Sequence, residues 1–225
     1  QDPPFNMHYI TSTYILDCLP KSTKVINNPS SVRNAAEKIL PFQFKEFMPP
    51  TLISQSVDEI KNFFKIHQDI ITKPLYGNGG EGIHRSQDGL LEGIDIQGDY
   101  LEMPIMVQKY IPEISEGDRR IVFFDGDYVG SVARIPLKGS IKANFHAGGS
   151  AKKTGLVFRD QKIIEALGKE LKKMDLFFVG IDIIGNFLTE INVTSPTGIK
   201  QINNLNNTKL ERVFWDKLEE KYNIV

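Results

Sequence analysis

The run "RRIVFFDGDYVGSVARIPL", residues 119–137, constrains the fold most. Two apolar stretches, "RIVFF" and "YVGSVARI", flank a turn at Asp125-Gly126-Asp127, so the run reads as a β-hairpin. A second pair of strands, "LFFVGIDIIGNFLTEINV", turns at Gly185-Asn186. Two segments carry helical periodicity instead. "RDQKIIEALGKELKKM" puts Ile163, Ile164, Leu167, Leu171 and Met174 on one face, with Asp160 as its cap; "KLERVFWDKLEEKYNI" does the same with Leu210, Val213, Phe214, Leu218 and Tyr222. Hairpins beside helices, without regular strand–helix alternation, imply an α+β chain of mostly antiparallel sheet with helices packed outside.

The first half is more broken. "MHYITSTYILDCL" fits helix or strand, "TKVIN" reads as a short strand ended by Asn28-Pro29, and Ser30 or Ser31 caps a helix through "VRNAAEKIL". Prolines 41, 49 and 50 exclude a long helix, and Thr51–Ser54 reads as a strand. Ser56-x-x-Glu59 is a capping box opening a helix with Ile60, Phe63, Phe64 and His67 on one face. "IITKPL" is a strand stopped by Pro74, and residues 82–112 carry short apolar runs with frequent turn residues, as β-structure would. "LKGSIKANFHAGGSAKKTG" is polar, Gly-rich and aperiodic, and reads as a mobile loop.

"ITKPLYGNGGEGIHR" contains Gly77-x-Gly79-x-x-Gly82, the spacing of a dinucleotide fingerprint. That fingerprint needs a helix opening on the third glycine, and Ile83-His84 lead into a turn instead. The same two residues stand where a Walker-type loop needs Lys-Ser. What remains is a strand bearing Lys73, a glycine turn, then another strand. Bare backbone N–H groups and a nearby lysine suit phosphate; a flexible turn with a surface lysine fits this segment equally well.

Asp182, Glu190 and Asn192 are hard oxygen donors suited to Mg²⁺, set among apolar neighbours where an unpaired carboxylate is costly. Glu190 and Asn192 share a strand face. A plain two-residue turn at Gly185-Asn186 would pair Asp182 with Thr189 and put it on the opposite face. A three-residue loop over Ile184–Asn186, or a bulge, brings all three together; the odd-length loop is the expectation. A solvated face on an edge strand is the alternative.

Net charge is −1, from 27 basic and 28 acidic residues, which gives no nucleic-acid footprint. The one cysteine, Cys18, permits no internal disulfide, fits a reducing compartment, and reads as a small core residue. No apolar run approaches the roughly 18 residues of a membrane helix, and a cytoplasmic location is expected. His84 and His146 lack metal-ligand partners at useful spacing, and His67 reads as packing or capping.

Together "DPPFN", "AEKI", "KPLYGNGGEGI", "QKYIPEISEGDRRI", "ARIP", "NFHAGG" and "FVGIDIIGNFLTEINVTSPTGI" resemble, in order and over nearly the whole chain, the blocks of the prokaryotic glutathione synthetase family of ATP-grasp ligases. The resemblance implies two subdomains of antiparallel sheet holding ATP between them, residues 31–112 and 113–225, with 1–30 a remnant of a preceding N-terminal domain that is otherwise lacking. It implies ATP, Mg²⁺ (or Mn²⁺), γ-glutamylcysteine and glycine as the chemistry, through an acyl phosphate, and a homo-oligomer for the full-length protein. Lys38 and Lys73 match phosphate-binding lysines, and Gly77, Asn78, Gly79, Gly80 and Gly82 the loop covering the phosphates. Gln108, Lys109, Tyr110 and Ile111 match the stretch meeting the adenine, largely through backbone, and Asp118 a position near the ribose. Arg120 and Arg134 match arginines that hold the peptide and the reacting carboxyl. Lys142 and Asn144 lie in the loop at 137–149 that closes over the reaction, with Lys142 where the family carries arginine. Asp182, Glu190 and Asn192 match the metal ligands, and Ser195, Pro196, Thr197 and Gly198 the turn beside the substrate. Another carboxylate–amine ligase of the ATP-grasp type, or a nucleotide-binding module without turnover, are the other readings.

Overall fold

The computed structural model describes residues 5–77, 79–89 and 96–223. Two antiparallel sheets organise them. Strands β1 (Thr51–Ser56), β2 (Ile70–Pro74), β3 (His84–Ser86), β4 (Ile96–Gln97) and β5 (Tyr100–Lys109) form the first, in the order β1-β5-β2-β3 with β4 also on β5. Strands β6 (Asp118–Phe124), β7 (Asp127–Ile135), β8 (Ser150–Lys152), β9 (Phe178–Ile184) and β10 (Phe187–Asn192) form the second, in the order β10-β9-β6-β7-β8. Six helices accompany them: α1 (Met7–Asp17), α2 (Pro29–Arg33), α3 (Val57–His67), α4 (Phe158–Lys173), α5 (Ile199–Asn206) and α6 (Leu210–Tyr222). The α+β expectation is met.

The continuous apolar run "RIVFF" is explained by a sheet covered on both faces. Alternate strand residues point opposite ways. Ile121 and Phe123 pack with Ile163, Leu167 and Leu171 of α4 and with Leu40, Phe44 and Phe47 of a short 3₁₀ segment. Val122 and Phe124 pack with Ile202 of α5 and Leu210 and Leu218 of α6. The first sheet is covered more thinly, by Val57 and Ile60 of α3 against Ile70, Leu101, Ile105 and Val107.

Several local readings need correction. "TKVIN" is irregular, bent chain, not a strand: the Asn27 side chain donates to the carbonyls of Phe178 (2.9 Å) and Val193 (2.7 Å) and accepts from Phe178 N (2.7 Å). One amide thereby ties the start of β9 to the residue that follows β10, and its donors and acceptor are spent outside any ladder. The following helix is capped by Asn28, not by Ser30 or Ser31, and ends at Arg33. Beyond it the Glu37 carbonyl accepts from Ile191 N (3.2 Å), which takes the chain off the helical path. The capping box of α3 is half formed: Ser56 Oγ accepts from Glu59 N (3.4 Å), while the Glu59 carboxylate takes a proton donor in Ser54 Oγ (2.5 Å) instead of the helix-start N–H. Asp160 lies inside the first turn of α4, where it accepts from Val157 N (3.1 Å) and is gripped by Arg119 (2.8 and 2.9 Å). The aperiodic loop carries a helical turn, Phe145–Ala147, and the edge strand β8. Helix α5 was not foreseen. Cys18 is exposed at the end of α1, not in a core.

Candidate active-site cleft

A cleft of about 790 Å³ opens between the two sheets. Its lining includes every anticipated site residue except Gly82 and Gly198, which lie outside it, and Asn78, which lies outside the described residues.

The first sheet supplies one wall. Lys73 on β2 is buried and donates to Gln108 Oε1 (2.8 Å) on β5, whose Nε2 donates to Thr51 Oγ1 (2.9 Å) on β1. The lysine is thus fixed by a relay across three strands. Burial pulls its pKa down, opposed by the charge of Glu190. Lys38 is also buried, and donates to Glu37 Oε1 (2.6 Å) and to the Gly77 carbonyl (3.1 Å). Burial disfavours its charge too, but Glu190 and Glu37 outweigh this and leave its pKa raised. Glu37 itself is pushed up to about 7, first by burial and then by the charge of Glu190. Past Gln108, Lys109, Tyr110 and Ile111 carry the wall onward, with the Tyr110 ring 3.6 Å beneath the Arg85 guanidinium.

The second sheet supplies the other wall, and strand register builds it. Arg120 on β6 lies opposite Asp182 on β9, and Asp118 opposite Arg134 on β7. Arg120 holds Asp182 in a fork, Nε to Oδ1 (2.5 Å) and Nη2 to Oδ2 (2.9 Å), and its Nη1 reaches the Thr197 carbonyl (3.1 Å). Arg134 forks onto Asp118, Nε to Oδ1 at 2.6 Å and Nη2 to Oδ2, and also meets Asp182 Oδ2 (2.9 Å). Burial alone would raise the Asp182 carboxyl; the two arginines win and hold it well below the usual carboxylate range. Asp118, expected near the ribose, lines the cleft with both oxygens bonded to Arg134, and burial pushes it up to about 6.

The β9–β10 hairpin settles the parity question. Phe187 pairs with Ile184, so the turn is the two-residue Gly185-Asn186, not the expected three-residue loop. The register then shifts: Leu188 pairs with Ile183, but Glu190 pairs with Asp182 and Asn192 with Gly180. Thr189 is the extra residue of a bulge, and its hydroxyl turns back to the Asp182 carbonyl (3.1 Å). Asp182, Glu190 and Asn192 therefore reach one wall of the cleft, and Asn192 Nδ2 lies 3.4 Å from Asp182 Oδ2. Among the described residues no three His, Cys, Asp or Glu side chains form a metal-holding group. The trio here is two carboxylates and an amide oxygen, a donor set that fits a hard divalent cation and no soft one.

Two loops meet across the opening. Asn144 Nδ2 donates to the Gly79 carbonyl (3.2 Å), while its Oδ1 accepts from Ala147 N (2.8 Å). Lys142 packs on Gly80, where a Cβ would come within 3.2 Å of its stem. Gly82 has φ +66°, and a Cβ there would stand 2.7 Å from the Pro74 ring. It shapes the return of the loop onto β3 from outside the cleft. Gly198 precedes α5 with φ +124°, and Ser195, Pro196 and Thr197 line the cleft ahead of it.

Two residues escaped the sequence reading. Glu37 stands next to Lys38 in "AEKI", and that adjacency is its one signal in the sequence. Tyr9, whose hydroxyl hydrogen-bonds Thr194 Oγ1, had no local signal at all.

The family model described as "Prokaryotic glutathione synthetase, ATP-grasp domain" matches residues 37–207, and that of the same family's N-terminal domain matches residues 1–33. The chain is 42% identical over 224 residues to the glutathione synthetase of Mesorhizobium japonicum, covering 98% of this chain and 72% of the relative. It is likewise 42% identical to the glutathione synthetase of Agrobacterium fabrum, covering 98% and 70%. Among solved structures, a Chryseobacterium gregarium RiPP-associated ATP-grasp ligase in complex with ADP and a leader and core peptide superposes with TM-score 0.66 at 19% identity, over 94% of this chain and 67% of that one. D-alanyl-alanine synthetase A from Vibrio cholerae superposes with TM-score 0.61 at 13% identity, over 90% and 69%. At such identities these two structures speak for the fold alone.

Proposed function

The chain belongs to the prokaryotic glutathione synthetase family, and from that premise we propose that it joins the cysteinyl carboxylate of γ-glutamylcysteine to the amine of glycine, converting ATP to ADP and phosphate. The observation that carries this reading is the gathering, in one cleft, of Lys38, Lys73, Arg120 and Arg134 with the oxygen donors Asp182, Glu190 and Asn192. Cations beside hard oxygen donors suit a polyphosphate and its divalent metal.

In this reading the chain divides into residues 31–112, which carry Lys38 on a turn and Lys73 and the adenine wall on the first sheet, and 113–225, whose sheet carries the arginines and metal ligands; residues 1–30 belong with the family's N-terminal domain. Lys38 and Lys73 hold the phosphates, and the glycine loop from Gly77 covers them. Arg120 and Arg134 orient the peptide carboxylate so that its oxygen attacks the γ-phosphorus, ADP leaves, and an acyl phosphate forms. The glycine amine then attacks the acyl carbon and phosphate departs. Mg²⁺ (or Mn²⁺), held by Asp182, Glu190 and Asn192, would neutralise charge on the phosphates. Asn144 and Lys142 close the loop at 137–149 over the cleft and exclude water from the acyl phosphate. Among the described residues no helix is long and apolar enough to cross a membrane; a cytoplasmic location and a homo-oligomeric full-length protein complete the proposal. The test is to incubate the chain with ATP, Mg²⁺, γ-glutamylcysteine and glycine and identify the product by mass spectrometry. Glutathione supports the reading; a product only with other peptides or amines assigns a different ligase.

A further inference from the structure

Three contacts converge on two adjacent residues. The Glu37 carbonyl accepts from Ile191 N (3.2 Å), between the β10 residues Glu190 and Asn192. The Glu37 carboxylate holds Lys38 Nζ at 2.6 Å, and that same Nζ donates to the Gly77 carbonyl at 3.1 Å, where the glycine loop begins. We propose that Glu37 is a positioning residue of the phosphate site: it aims Lys38 at the glycine loop and registers that loop against the metal-bearing strand. The inference rests on the phosphate-site reading above and adds a role for a residue that acts through Lys38.

The physical need is specific. Lys38 and Lys73 are both buried at the same end of the cleft, where desolvation works against the charge of each and Lys38 further lowers Lys73. A neutral or misdirected amine is a poor partner for phosphate. Glu190 and Glu37 together keep Lys38 charged, and Glu37, the one bonded to Nζ (2.6 Å), confines its four-carbon stem, which otherwise samples many rotamers. The main-chain bond to Ile191 then sets the bridge at a fixed distance from Glu190 and Asn192. Glu37 lines the main cleft and also borders a small side pocket with Phe5, Tyr9 and Tyr76, so it stands at the cleft wall and not in the apolar core.

The experiment compares the parent chain with Glu37→Gln and Glu37→Ala. Isothermal titration measures ADP in Mg²⁺ and, separately, γ-glutamylcysteine. Thermal unfolding and amide exchange of residues 79–82 are followed on the same samples. Losing one charge-assisted hydrogen bond should weaken ADP about tenfold in Glu37→Ala and about threefold in Glu37→Gln, which keeps an acceptor for Lys38. Peptide affinity should be unchanged, and amides 79–82 should exchange faster in Glu37→Ala. Unchanged or tighter ADP binding in both variants overturns the proposal. So does an equal loss for ADP and peptide alongside a lower Tm, which would mark a structural role only. A parent chain that fails to bind ADP in Mg²⁺ removes the phosphate-site reading itself, a distinct outcome.

Discussion

Asp182 sits at the centre of a buried charge network, whereas Glu190 opposite it makes no hydrogen bond among the described side chains. The two acids should therefore separate stability from metal binding. Asp182→Asn leaves Arg120 and Arg134 short of a counter-charge in a buried site, and breaking such a pair costs about 3–5 kcal/mol. Glu190→Gln breaks no hydrogen bond; it takes a counter-charge from the buried Lys38 and Lys73 but relieves the neighbouring Glu37, and should cost less stability than Asp182→Asn. Both should weaken Mg²⁺-dependent ADP binding; urea unfolding beside calorimetry distinguishes them, and intact Mg²⁺-dependent binding in either removes that residue from the metal site. Glu37 adds a pH signature. Its carboxyl is raised from 4.5 to about 7 in the folded chain, so below pH 4.5 it is protonated folded or unfolded and has no effect. Between 4.5 and about 7 the folded chain keeps a proton the unfolded chain has lost, and stability falls as pH rises. With EDTA present, Glu37→Gln should gain Tm relative to the parent as pH rises through that window; a gap that does not change with pH contradicts the assignment. The sequence made Asp182 legible because an acid between isoleucines demands a partner. Glu37 was not legible, because its meaning lies in a main-chain bond to Ile191 and in the charge of Glu190, which no neighbouring residue announces.

At the scale of elements, the β9–β10 hairpin shows how far pattern reasoning reaches. The alternation of faces required an odd offset for Asp182, Glu190 and Asn192 to meet, and the offset exists. Its location was not readable. Gly185 takes φ +56°, which suits a tight two-residue turn, so Ile184 stays paired in the strand and the extra residue moves to Thr189. "TKVIN" failed for a related reason: a β-like composition says nothing of one asparagine amide bonded to residues 178 and 193. Helix α4 offers a test of element packing. Gly168 lies inside it, and a Cβ there would stand 2.3 Å from the Gly126 carbonyl of the β6–β7 turn. Alanine is the better helix former by roughly 1 kcal/mol, yet Gly168→Ala should destabilise by about 1–3 kcal/mol because α4 must move off the hairpin. A chain stabilised by this change would show that helix and turn are not in close contact.

On the scale of the whole molecule, function depends on two sheets facing one cleft. Hairpins, helix faces and the α+β class were visible in the sequence, since each is local or periodic. The opposition of the sheets was not, because no local pattern records which wall Lys73 faces. The family resemblance supplied that arrangement as an expectation, and Lys73 on one wall with the arginines on the other now gives it physical content. The most direct measurement is phosphate release by the 225-residue chain with ATP and Mg²⁺, omitting γ-glutamylcysteine and glycine in turn. The account predicts sustained release only when both are present and its abolition by EDTA. Release indifferent to either substrate, or none at all from a chain that binds ADP, would contradict it.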